Sequence, residues 1–175
     1  VFTPDHKPAV AGSNEPGYIA RGGNIPVGYW KDDAKTAKTF FMIDGQRWSI
    51  PGDYCLVNAD GSITLLGRGS ACINTAGEKV YPEEVEETLK LHDTVEDALV
   101  VGVPDDKWGN AVTAVVELAP NARFDEGTLR AHVREHLAGY KTPKRILIVP
   151  HMFRAPNGKA DYKAASDFAR TKLGL

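Results

Sequence analysis

Three consecutive stretches decide the fold: Val95-Glu-Asp-Ala-Leu-Val-Val-Gly-Val103, the turn-rich Pro104-Asp-Asp-Lys-Trp-Gly-Asn110, and Ala111-Val-Thr-Ala-Val-Val-Glu-Leu118. Both apolar runs are short, rich in β-branched residues and bounded by Pro, Gly, Asp or Asn, the pattern of strands rather than helices. Upstream, Pro82 stands at a first helical position. Glu83, Glu84, Glu86 and Glu87 follow it and suit the positive end of a helix, which is expected to run to about His92. Downstream, Asp125 caps a second helix with the apolar spine Leu129, Val133 and Leu137. Arg145 to Val149 reads as another strand, and Asp161 to Leu173 as a last helix. The order β-α-β-β-α-β-α predicts a compact α+β domain, a mixed β-sheet with helices packed on it.

Before Pro82 the rhythm differs. Ser70 to Val80 reads as one extended segment, and Gly17-Tyr-Ile-Ala-Arg21 as a short strand. Phe40 to Ile50 carries an Asp-Gly turn between two strand-forming runs, and Asp53 to Gly67 folds back again at Asp60-Gly61. Asp32 to Thr39 is a short helix behind an aspartate cap. Up to about Gly67 this makes a small sheet or barrel, too small to be comfortable alone.

With 175 residues, 42% hydrophobic and 25% charged, the chain has the composition of a globular protein with one good core or two small ones. A net charge of -2 with scattered Lys and Arg gives no footprint for nucleic acid or an anionic membrane. Cys55 and Cys72 have no CxxC and no nearby histidine pair, so both are expected to be buried free thiols with no metal site. There is no membrane-spanning run, and Val1 to Val10 lacks the order of a secretory leader, so a cytoplasmic location is expected.

Three positions invite a chemical reading beside a plain one. Lys159 follows Ala-Pro-Asn-Gly, so it is either a solvated turn lysine or a point charge offered to a phosphate or carboxylate. Asp53, after Ile-Pro-Gly, is a turn carboxylate or an acceptor for a ribose hydroxyl. Arg68, between two glycines and with Gly77 further on, marks a hinge or merely a loop between domains.

Taken together, Gly28-Tyr-Trp, Pro51-Gly-Asp53, Leu66-Gly-Arg68, Ile73-Asn-Thr-Ala-Gly-Glu-Lys-Val-Tyr-Pro-Glu-Glu-Val-Glu86, Pro104-Asp-Asp-Lys-Trp-Gly109 and Pro156-Asn-Gly-Lys159 resemble the late motifs of one superfamily, in its order. It comprises the acyl-CoA synthetases, nonribosomal adenylation domains and luciferases. The resemblance implies that residues 1–68 are the β-barrel-like end of a large adenylate-forming domain and residues 69–175 a mobile C-terminal domain. It further implies that Asp53 accepts the ribose hydroxyls of ATP, that Arg68 holds the same nucleotide, that Gly77 borders the pantetheine tunnel of CoA, and that Lys159 reaches the acyl carboxylate and α-phosphate. The reaction implied joins a carboxylic acid, ATP with its Mg2+, and CoA, through acyl-AMP.

The chain departs from the pattern at the hinge position, where Ser70 replaces the usual Asp or Lys, at Pro51 in place of a common Thr, and at Asn74, where some members have a second lysine. Gly67 to Thr75 and Gly77 to Glu86 look closest to bacterial fatty-acid and sterol side-chain acid CoA ligases. The chain shows no Ser/Thr/Gly-rich phosphate loop followed by lysine, so alone it is expected to be inactive, with the Mg2+ ligands elsewhere. Two alternatives stand beside a CoA ligase. One is an adenylating enzyme that loads a carrier-protein phosphopantetheine. The other is a non-catalytic interaction module, which requires an exposed sheet face with a contiguous apolar patch.

Overall fold

A computed structural model describes all 175 residues, which divide into two compact units, Val1–Ser70 and Ala71–Leu175. In the second unit the two decisive runs form β8 (Val95–Asp105) and β9 (Gly109–Leu118), an antiparallel pair whose register runs from Val95 opposite Leu118 to Asp105 opposite Gly109. The turn between them is built by Asp105, whose Oδ1 accepts the backbone N–H of Lys107 at 3.0 Å and of Trp108 at 3.2 Å. The predicted strand β10 (Arg145–Val149) lies parallel to β9, so the sheet order is β10-β9-β8 and the sheet is mixed, as expected.

The central strand reads Ala111-Val-Thr-Ala-Val-Val116 because both its faces are covered. Side chains alternate between the two faces. Ala98, Val100, Val112, Ala114 and Val116 meet Val85 and Leu89 of α2 (Pro82–Lys90) and Leu129 and Val133 of α3 (Glu126–His136). Leu99, Val101, Val103 and Val115 share the opposite cluster with Ala165 and Ala169 of α4 (Tyr162–Leu173). Asp125 and Asp161 cap α3 and α4, accepting the N–H groups of Thr128 and Ala164. Helices cover both faces of this sheet, so the second unit has no bare sheet face of the kind the interaction-module reading requires.

Ser70 to Val80, expected as one extended segment, is a short 3₁₀ turn followed by a hairpin, β6 (Ile73–Thr75) and β7 (Glu78–Val80). Ala76 and Gly77 form its two-residue turn with φ of 50° and 86°. Nothing in an alanine announces a left-handed backbone, and that is why the turn escaped the sequence. Cys55 is buried, but Cys72 is only half-buried because it precedes β6 instead of lying within a covered strand.

The first unit holds β1 (Gly17–Tyr18), α1 (Asp33–Thr39), the hairpin β2 (Phe40–Ile43) and β3 (Gln46–Ser49), then β4 (Asp53–Val57) and β5 (Ile63–Arg68). The strands do not close into a barrel. One sheet is β1-β4-β5 and a second is β2-β3, with a single bridge between Arg21 and Ser49. The Asp44-Gly45 turn is left-handed at both residues, as an Asp-Gly hairpin turn requires. Gly17 to Arg21 is strand only over its first two residues.

Candidate functional site

In the first unit, Asp53 and Arg68 are fifteen residues apart yet face each other across β4 and β5. A bulge produces this. Tyr54 lies opposite Gly67 and Cys55 opposite Leu65, so Leu66 is the extra residue and Gly67 takes a φ of 100°. The Arg68 Nε then donates to Asp53 Oδ1 at 3.2 Å, with the two side chains 68% and 29% exposed. Beside them Tyr18, Pro51, Gly52, Tyr54, Arg68, Gly69 and Ser70 line an open concavity of about 410 Å3. Its aromatic wall is fixed by a 2.6 Å hydrogen bond between the Tyr54 and Tyr18 hydroxyls. Gly69 is required there, since a Cβ would come within 2.5 Å of the Tyr54 ring. The concavity thus combines an aromatic wall, a cation and a neighbouring carboxylate, a set able to receive a planar ring and a sugar diol. Ser70, the expected hinge residue, is exposed and ends the unit.

In the second unit Lys159 is exposed at the tip of a tight loop. The loop closes through the Ala155 N–H to Lys159 O at 2.8 Å and the Gly158 N–H to Ala155 O at 2.8 Å, with Gly158 left-handed and a bridge between Arg154 and Ala160. Both flanks of the loop are fastened to the domain. Arg154 grips Asp97 of β8 with two parallel bonds, Nε to Oδ2 at 2.6 Å and Nη2 to Oδ1 at 2.7 Å, and also donates to Gly158 O at 3.0 Å. After the loop, the Tyr162 hydroxyl donates to Glu86 Oε2 at 3.1 Å, while Glu86 Oε1 accepts the Val100 N–H at 2.8 Å.

The electrostatics follow from burial. Glu86 is 5% exposed, and burial outweighs its two hydrogen bonds, so its carboxyl is pushed up to about 7. Burial, helped by the negative field of Glu86, also drives the Tyr162 phenol upward. Burial pulls Asp97 upward too, yet the Arg154 bonds and the Ala98 N–H bring its carboxyl below the ordinary value. Arg154, Asp97, Glu86 and Tyr162 thus fasten the loop that ends in Lys159, and sequence reasoning missed all four. Glu86 had a signal: with Pro82, Val85 and Leu89 it completes the buried stripe of α2. The Arg154–Asp97 pair spans 57 residues of sequence and had none.

Gly77 occupies the β6–β7 turn, where a Cβ would meet nothing within 4 Å. Its left-handed φ is what demands glycine within this chain. The turn is tied to the β8–β9 connection by the Ala76 N–H, which donates to Trp108 O at 2.9 Å. Structure thus pairs Asp53 with Arg68 in one unit and sets Gly77 and Lys159 on separate loops of the other.

Residues 84–159 match the family model described as AMP-binding enzyme C-terminal domain. The 3-oxocholest-4-en-26-oate--CoA ligase of Rhodococcus rhodochrous is 52% identical over 167 residues, 95% of this chain and 30% of the relative. The chain thus spans about 30% of the length of these curated relatives. Among solved structures, the amide bond synthetase McbA from Marinactinospora thermotolerans is 31% identical with a TM-score of 0.83, covering 96% of this chain and 34% of that one. The o-succinylbenzoate CoA synthetase of Bacillus subtilis, bound to its acyl-adenylate intermediate, is 28% identical with a TM-score of 0.82, covering 95% and 33%. Family model, relatives and fold agree: residues 84–159 match an AMP-binding enzyme C-terminal domain, and nearly the whole chain is similar to about a third of CoA ligases and of an acyl-adenylate-bound synthetase.

Proposed function

We propose that this chain is the C-terminal part of an ATP-dependent, AMP-forming acid:CoA ligase acting on a fatty acid or another hydrophobic carboxylic acid in the cytoplasm. The observation that carries the reading is the exposed Lys159 on a loop fixed at both flanks, within a domain of the AMP-binding family. In the first half-reaction an acid carboxylate oxygen attacks the α-phosphorus of ATP, forming acyl-AMP and releasing pyrophosphate. In the second the CoA thiol attacks the acyl carbon and AMP departs. Lys159 contributes a preorganised cation where charge shifts between the carboxylate and the α-phosphate. Asp53, part-exposed and with several lone-pair sites beyond the one given to Arg68, accepts from the ribose hydroxyls, and Arg68 adds positive charge to the same concavity. The open space over Gly77 fits a pantetheine passage. Residues outside this chain would hold the Mg2+ that accompanies ATP.

Residues 1–68 are, on this reading, the end of the large domain, residues 69–175 its mobile partner and Ser70 the hinge. The division into compact units directly after Ser70 supports that. The test is pyrophosphate release by the complete enzyme against a panel of acids, with the product thioester identified. Acid-dependent release ending in an acyl-CoA is expected. Release that ends on a carrier-protein phosphopantetheine or an amine would replace the CoA reading, and no acid-dependent release would end it.

A further inference from the structure

The C-terminal half of α3 carries a feature that adenylate formation does not use. His132, Glu135 and His136 are spaced i, i+3 and i+4, so they share one helix face. One ring nitrogen of each histidine and one Glu135 carboxylate oxygen all lie within 4.8 Å of one another. His132 is half-buried, and Glu135 and His136 are exposed, so the group opens to solvent on one side.

The hydrogen bonds settle which ring nitrogens are free to ligate. His132 Nε2 lies 2.9 Å from Thr88 O in α2, and His136 Nδ1 lies 2.8 Å from His132 O. A carbonyl oxygen only accepts, so both of these nitrogens carry the proton. The lone pairs are then left on His132 Nδ1 and His136 Nε2. A ligating histidine in a metal site is oriented in the same way, its other ring N–H given to a backbone carbonyl. The His132 ring is further held edge-on by His92, with centroids 5.1 Å apart, and stacks obliquely on His136 at 4.5 Å. The negative end of the α3 dipole lies in the same turn and favours a cation there.

We infer that His132, His136 and Glu135 form a surface binding site for a divalent first-row transition ion of the Zn2+ class. Two imidazoles and one carboxylate match the ligand preference of such ions, whereas Mg2+ and Ca2+ require oxygen ligands. Ligand atoms around one zinc ion stand about 3 to 4 Å apart; one nitrogen of each ring and a Glu135 oxygen already lie within 4.8 Å, and side-chain rotation must bring His132 Nδ1, His136 Nε2 and that oxygen onto one ion. With three protein ligands, a water completes the tetrahedron.

The experiment is a Zn2+ titration of the 175-residue chain against a chromogenic competitor, repeated with Co2+ to read coordination from its visible spectrum. One saturable ion per chain is expected. His136→Ala, at an exposed position that leaves the fold intact by circular dichroism, should weaken Zn2+ at least about tenfold, with Glu135→Gln intermediate. His151→Ala, an exposed histidine outside the group, should leave the titration unchanged. Absence of one-to-one binding would overturn the site. So would a His136→Ala titration matching wild type, or equal losses in His136→Ala and His151→Ala.

Discussion

The two units differ in how each hides its apolar side chains. In Ala71–Leu175 a mixed sheet is sealed on both faces, and Leu89, Leu99, Val115, Leu129 and Val133 are essentially inaccessible. In Val1–Ser70 the core cluster has only three buried members, Phe2, Ile43 and Ile50. There Val27, Trp30, Met42, Ile63 and Leu65 stand 53% to 92% exposed. Exposed apolar surface of that extent is a liability in a free-standing domain and ordinary in a piece of a larger one. The second unit therefore closes its own core, whereas the first leaves much of its apolar surface in solvent.

The largest test of that contrast is Leu99→Ala, which opens a hole in a sealed core. It should cost about 3 to 4 kcal/mol in denaturant unfolding, whereas Ile43→Ala, beside open surface, should cost much less. Equal losses would erase the distinction.

A smaller effect comes from Glu86. Its carboxyl titrates near 7 in the folded chain against an ordinary 4.5, so the folded state holds a proton that the unfolded state releases. The stabilisation is full below about 4.5 and is lost as pH rises through 7, about 3 kcal/mol in all. Unfolding free energies from pH 5 to 8 should fall accordingly, and Glu86→Gln should flatten the profile while keeping an acceptor for the Val100 N–H. A profile unchanged by the substitution would show that another group is responsible. The smallest effect belongs to the first unit. Arg68→Ala should change the unfolding free energy by at most about 1 kcal/mol, because the Arg68 side chain is 68% exposed in that pair. A larger loss would mean that Arg68 supports the fold itself.

The strand and helix pattern of the second unit could be read from sequence because covered strands and capped helices leave local marks. Asp125 and Asp161 stand where the caps are, and Arg145 to Val149 is strand over its whole length. The Ala76-Gly77 turn was hidden because its first residue bears no turn chemistry. In the sequence Glu86 is one of four helix-start glutamates, yet its place beside Val85 and Leu89 on the buried stripe marks it as inward-facing. The fastening of the Lys159 loop was not legible at all, since Arg154 with Asp97 and Tyr162 with Glu86 are joined only by tertiary folding. His132-x-x-Glu135-His136, by contrast, is visible in the sequence as a spacing.

The proposed function requires that this fastened loop present Lys159 to the adenylation step alone. It is tested by measuring the two half-reactions of the complete enzyme separately in Lys159→Ala. Acid-dependent pyrophosphate exchange should fall about 10² to 10³, the loss of one preorganised charge donor, about 3 to 4 kcal/mol. CoA consumption from supplied acyl-AMP should hold near the wild-type rate. Unchanged exchange, or equal losses in both assays, would make Lys159 a solvated turn residue with no part in adenylation.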